Sequence, residues 1–192
     1  MNKVYDLVVN LGSNCQVAYQ LKRHDLRRFS GPLDWLVSED AANIVKAMQD
    51  RFASLFDNYE VVGENEECYL VKDLKYGFLS VHVFHLNQNF NESYCELKQK
   101  ISRRSEKLFK KASEYENILV VRLGIEDYFM KDFLVSIENI IQKSVDMIFV
   151  NYGQETFKID YGKVAYVQIT NPERWEGDDE AWDYVLENIR LK

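Results

Sequence analysis

Short, continuous apolar runs alternate with longer segments of helical periodicity over much of this chain, and that alternation restricts its fold more than any other feature. Ile118 to Leu123 and Val145 to Val150 have almost no polar positions, so as strands they need cover on both faces. The segments beside them supply the cover: Tyr94, Leu97, Ile101, Leu108 and Ala112 mark one face of a helix over 91–113. Phe129, Phe133, Ile137, Ile140 and Ile141 do the same over 127–143. With further strands at Tyr5 to Leu11, Phe78 to Phe84 and Val164 to Ile169, the pattern predicts an α/β fold. Its sheet is mainly parallel with helices on both faces, a three-layer, Rossmann-like arrangement in a single domain over 1–192. A helix from Asp40 to Phe56, weak strands around Val61 and Tyr69 to Val71, and a hairpin excursion over 152–161 complete the reading. A closing helix runs through Trp182, Val185, Leu186 and Ile189, opened by Asp178 or Asp179.

Composition removes several classes of function. A net charge of −7 repels phosphate backbones, so no nucleic-acid partner is expected. No apolar run is long enough to span a bilayer, and the first residues lack a signal-peptide pattern, which predicts a cytoplasmic protein. The three cysteines, Cys15, Cys68 and Cys95, form no C-x-x-C pair and suit a reducing compartment. His82 and His85 lie three positions apart and face opposite ways on a strand, so neither a metal site nor a cofactor is expected. The basic cluster Lys98, Lys100, Arg103, Arg104, Lys107, Lys110 and Lys111, interleaved with glutamates, reads first as a solvated helix face and second as an anion site.

Chemistry concentrates where the first strand ends. Gly12, Ser13 and Asn14 carry turn and N-cap residues, and Cys15 opens a helix whose spacing runs through Val17, Ala18 and Leu21. A helix N-terminus favours thiolate over thiol, so a depressed pKa is expected for Cys15, and the Asn14 and Cys15 N–H groups could hold an oxyanion. A packing cysteine would give the same local pattern. In an open α/β sheet, ligands bind at the carboxyl ends of strands. Gly12 to Cys15, His85, Arg122, Gly124 and Asn151 all fall at such ends, which predicts that Arg122 shares a cleft with Cys15.

The block Leu11-Gly12-Ser13-Asn14-Cys15, followed by Phe29-Ser30-Gly31-Pro32-Leu33-Asp34-Trp35-Leu36, resembles a bacterial and viral family of papain-like cysteine peptidases with the pattern L-G-x-N-C and then S-x-P-F-D-W-L. Phe84-His85 falls at that family's histidine, and Ser102 to Lys107 at its basic helix. Leu86 replaces the aspartate that follows the histidine there, and Leu33 replaces a phenylalanine. The resemblance implies a papain-like α+β fold, the alternative to the parallel sheet.

Together these readings predict a cysteine-dependent hydrolase or acyltransferase acting on a peptide or small molecule. Cys15 is the nucleophile, His85 the base and Asp34 the orienting acid. Gly12, Ser13, Asn14, Trp35, Arg122 and Asn151 contact substrate. The alternative is a noncatalytic or transferase-type module that holds a phosphate or nucleotide-sugar at the same edge. A partner-binding role is favoured if Trp35, Trp175 and Trp182 are exposed.

Overall fold

A computed structural model describes residues 3–124 and 129–192. In chain order its elements are β1 (Lys3–Tyr5), β2 (Leu7–Asn10), α1 (Cys15–Arg23), β3 (Leu36–Val37), α2 (Ala41–Gln49), β4 (Tyr59–Glu64), β5 (Cys68–Asp73) and β6 (Leu79–His85). There follow α3 (Phe90–Glu114), β7 (Ile118–Leu123), α4 (Met130–Ile141), β8 (Asp146–Gly153), β9 (Phe157–Asp160), β10 (Val164–Thr170), α5 (Asp179–Leu186) and β11 (Ile189–Leu191).

The fold is mixed α/β. Five strands form one sheet in the order β2-β7-β8-β10-β9, parallel except for β9, which returns as a hairpin partner of β10 and confirms the excursion expected over 152–161. Side chains alternate across this sheet because successive residues of a strand point to opposite faces. Leu7, Val9, Ile118, Val120, Met147 and Phe149 enter one core with residues of α2, α3 and α4. Val8, Leu119, Val121, Ile148, Val150 and Val167 enter another with Val17 and Leu21 of α1 and Trp182, Val185 and Leu186 of α5.

The expectation of one mainly parallel sheet needs correcting. Phe78 to Phe84, placed in the parallel set from sequence, lies instead in a four-stranded antiparallel sheet ordered β3-β6-β5-β4. The reason is the length of the connections. A parallel pair needs a crossover of a dozen or more residues, whereas the turns at Asn65 and Asp73 are too short for anything but hairpins. Asn65 Oδ1 accepts from the N–H groups of Glu67 and Cys68, and the fully buried Asp73 carboxylate accepts from those of Phe56 and Tyr76. Among the described residues, four strand pairings are parallel and four antiparallel.

Two helices end earlier than their periodicity suggests. α2 stops at Gln49, and Arg51, Phe52 and Phe56 take positive φ values of 55°, 59° and 62°. That backbone is unfavourable for side chains of this size, and burial offsets it, because Phe52, Leu55 and Phe56 reach the core with no exposed surface. α5 ends at Leu186, which frees Ile189 to pair with Lys3 in the two-stranded β1–β11 ribbon. The start expected for the fourth helix, at Asp127, lies outside the described residues, and no described helix is long and apolar enough to cross a membrane.

Candidate functional site

Gly12 makes the turn after β2 possible. Its φ is +94°, and a Cβ there would overlap Ser38 Oγ and stand 2.6 Å from Arg122 Nη1, so a side chain is excluded by backbone and by space. Leu11 N–H donates to Val121 and Leu123 N–H donates to the Gly12 carbonyl, continuing the sheet ladder into the turn. Asn10 Oδ1 accepts from Gly12 N–H, and the Ser13 carbonyl accepts from Ser38 N–H at 2.6 Å. Asn14 then caps α1 by accepting from Gln16 N–H at 3.0 Å. Cys15 is consequently the first residue of the helix, half-buried and open to approach.

The expected depression of the Cys15 pKa is not found. Burial pushes the thiol above its ordinary value, its own backbone N–H opposes that rise, and the Glu176 carboxylate adds to it. Desolvation is the largest of these influences on the thiol.

Four other site candidates are placed differently from the expectation. The His85 ring meets Cys68, with Nδ1 3.4 Å from Sγ, because β5 and β6 pair Cys68 directly with His85. β3 joins β6 at Leu79 and Ser80, next to the Ser38 bond that anchors the Cys15 turn. His85 pairs with Cys68, four positions along β5 from Lys72, the partner of Leu79, which puts it roughly 13 Å further along the sheet. Asp34 is buried and fully engaged: Arg27 donates to it from Nε at 2.7 Å and Nη2 at 2.5 Å, Gly31 N–H at 3.0 Å and Asn10 Nδ2 at 3.1 Å. It clamps the loop before Trp35 onto the end of β2, with three of its four donors converging on Oδ2.

Arg122 lies under the Cys15 turn, as its place in β7 predicts, but it does not face an open cleft. Nη1 donates to the Leu11 carbonyl at 2.9 Å and Nη2 to the Glu39 carbonyl at 2.7 Å, while burial lowers its pKa to about 10. Asn151 lies within β8, opposite Gln168 of β10, rather than after the strand.

Sequence reasoning missed two residues that shape the site. Gln16 and Gln20, one turn apart on α1, are buried and reach the loop after β10. Gln16 Nε2 donates to the Trp175 carbonyl, and its Oε1 accepts from the Tyr152 hydroxyl and the Trp182 indole. Gln20 Nε2 donates to the Glu176 carbonyl and to Asp179. The signal was present in the sequence, since amides at i and i+4 on an otherwise apolar helix face require buried partners.

These bonds hold Trp175 edge-on against Tyr19 and carry it to one wall of a cleft of about 320 Å³. Trp35 and His82, their rings 6.4 Å apart at 87°, line it too, with Leu97, Lys100, Ile101 and Arg104 of α3. Trp35 and Trp175 are 36% and 54% exposed, whereas Trp182 is a core residue.

A half-buried cysteine at a helix start, set at the carboxyl edge of a parallel sheet, is an arrangement that thiol chemistry can use. The chain belongs to the family whose description reads "Putative papain-like cysteine peptidase (DUF1796)", matched over residues 6–151. It is also similar to "Uncharacterized protein R408" of Acanthamoeba polyphaga mimivirus, 26% identical over 164 residues that cover 74% of this chain and 71% of the viral one. No solved structure matches it.

Proposed function

We propose that this protein is a cysteine-dependent hydrolase in which Cys15 attacks an acyl group held in the Trp35–Trp175 cleft. The observation that carries the reading is the position of Cys15 itself. It is the first residue of α1, half-buried, next to the Trp175–Glu176 segment that Gln16 and Gln20 tie to that helix. His82 lines the cleft and precedes His85 on β6, toward the end of that strand beside the Cys15 turn. It is therefore the proposed proton acceptor, in place of His85. The thiol proton passes to the imidazole as Sγ bonds to the acyl carbon. The leaving group departs with that proton, and water then hydrolyses the thioester. The N–H groups of Asn14 and Cys15, at the helix start, are the proposed donors to the developing oxyanion.

Transfer of the acyl group to an acceptor other than water would use the same first step. Phosphate or nucleotide-sugar binding is the weaker reading, because Arg122 is fully buried and both its Nη atoms donate to backbone carbonyls.

The test is a burst assay with para-nitrophenyl acetate, followed by mass mapping of the acetylated residue. Acetyl on Cys15, and loss of the burst in Cys15→Ala, are the expected results. A burst that persists in Cys15→Ala, or acetyl found on Cys68 or Cys95, overturns the assignment.

A further inference from the structure

The Trp35–Trp175 cleft has a feature that thiol chemistry does not require. Leu97 and Ile101 give it an apolar lining, yet two cations of α3, Lys100 and Arg104, one helical turn apart, line it as well. Lys100 is paired to Glu96 at 2.9 Å. Arg104 differs: it has no hydrogen bond or ion pair among the described residues. Burial disfavours its charge, as do the neighbouring cations Arg27 and Arg103. The one carboxylate that favours it is Asp34, whose oxygens already accept from Arg27, Gly31 and Asn10.

A half-buried guanidinium placed among cations, beside a carboxylate engaged elsewhere, keeps a fork of donors for an anion from outside. In a chain of net charge −7 such a site is locally opposite to the rest of the molecule. The aromatic walls add a second requirement, since Trp35 and Trp175 expose ring surface that is covered when a flat or branched apolar group enters.

The geometry points to a substrate-recognition site for an apolar, preferably aromatic, side chain next to a free carboxylate, as at the C-terminal residue of a peptide. In it, Arg104 binds the carboxylate and Trp35 and Trp175 enclose the side chain. This deepens the hydrolase reading and rests on it for the site's purpose, but the binding itself does not need Cys15.

The experiment therefore uses the full chain carrying Cys15→Ala and measures binding by calorimetry. The probes are N-acetylphenylalanine, its carboxamide and inorganic phosphate. The acid should bind roughly tenfold or more tightly than the amide, the range expected for one charge-assisted hydrogen-bonding group. Arg104→Gln should erase that preference while leaving the amide's affinity as it was. Arg104→Lys should retain part of the preference, and Trp35→Ala should weaken acid and amide alike. Equal affinities for acid and amide, no binding of either, or a preference that survives Arg104→Gln would overturn the assignment. Phosphate binding as tight as that of the acid would make the cleft a plain anion site and overturn it equally. A failed burst assay with intact acid selectivity would remove the chemistry and leave the recognition site standing.

Discussion

Cys15 and Cys68 occupy opposite kinds of setting, and each has what the other lacks. Cys68 has an imidazole nitrogen 3.4 Å from its sulfur, yet it is 2% exposed, and burial together with Glu67 pushes its thiol up. Cys15 has no recorded imidazole contact among the described residues but is less buried, at a helix start beside the Glu176 carboxylate. A cysteine–histidine contact is thus a poor guide to chemistry by itself. The pair on the antiparallel sheet follows from strand register, whereas the corner at the parallel sheet gathers a turn, a helix terminus and a cleft.

Much of the buried polar structure is also at the Cys15 corner. Asp34, Arg27, Asn10, Arg122 and Ser38 hold three chain segments around Gly12. The Cys68 corner has fewer such bonds, chiefly the Asn65 turn that receives the Cys68 N–H. Breaking the two corners should therefore have unequal effects.

The largest is expected for Asp34→Ala, which leaves Arg27 facing a buried void and should lower unfolding free energy by about 3–5 kcal/mol in urea titration. A loss below about 1 kcal/mol would show that the loop does not depend on the clamp. Gly12→Ala comes next. It forces a Cβ against Ser38 and Arg122 at positive φ and should cost about 3 kcal/mol by the same measurement. Arg122→Met, which strips donors from the Leu11 and Glu39 carbonyls, should cost about 2 kcal/mol.

Reactivity sharpens the comparison further. Alkylation requires the thiolate, and the raised pKa of Cys15 means that less thiolate is present at any given pH than for a free cysteine. Its iodoacetamide rate should therefore climb with pH to a midpoint above the ordinary value of about 8.5. Cys68, nearly closed to solvent, should label at least about tenfold more slowly in the native state, because its access requires local opening. A Cys15 midpoint below the ordinary value would mean that the helix terminus dominates after all.

The smallest effect is expected for His85→Ala, below about 1 kcal/mol in stability and with no change in the Cys15 alkylation profile. A shifted Cys15 profile in that variant would return His85 to the site.

Several features were legible in the sequence because they are local. The strand–turn–helix at Cys15, the Asn14 cap and the uninterrupted apolar strands of the parallel sheet depend on neighbours within a few residues. Family membership was legible for a similar reason, since the block from Leu11 to Leu36 is nearly contiguous. What only the tertiary structure decided is where each polar side chain spends its hydrogen bonds. Arg122 and Asp34 look like site residues in one dimension and are fasteners in three, because burial forces them to satisfy whatever carbonyls and N–H groups the packed chain brings to them. The strand at Phe78 to Phe84 is the same lesson in backbone form. Its apolar pattern fits either kind of sheet, and the short turns before it, together with pairing to distant Leu36 and Val37, assigned it to the antiparallel one. Trp175 shows it last, placed against α1 by two glutamines more than a hundred and fifty positions away, a contact that no local periodicity encodes.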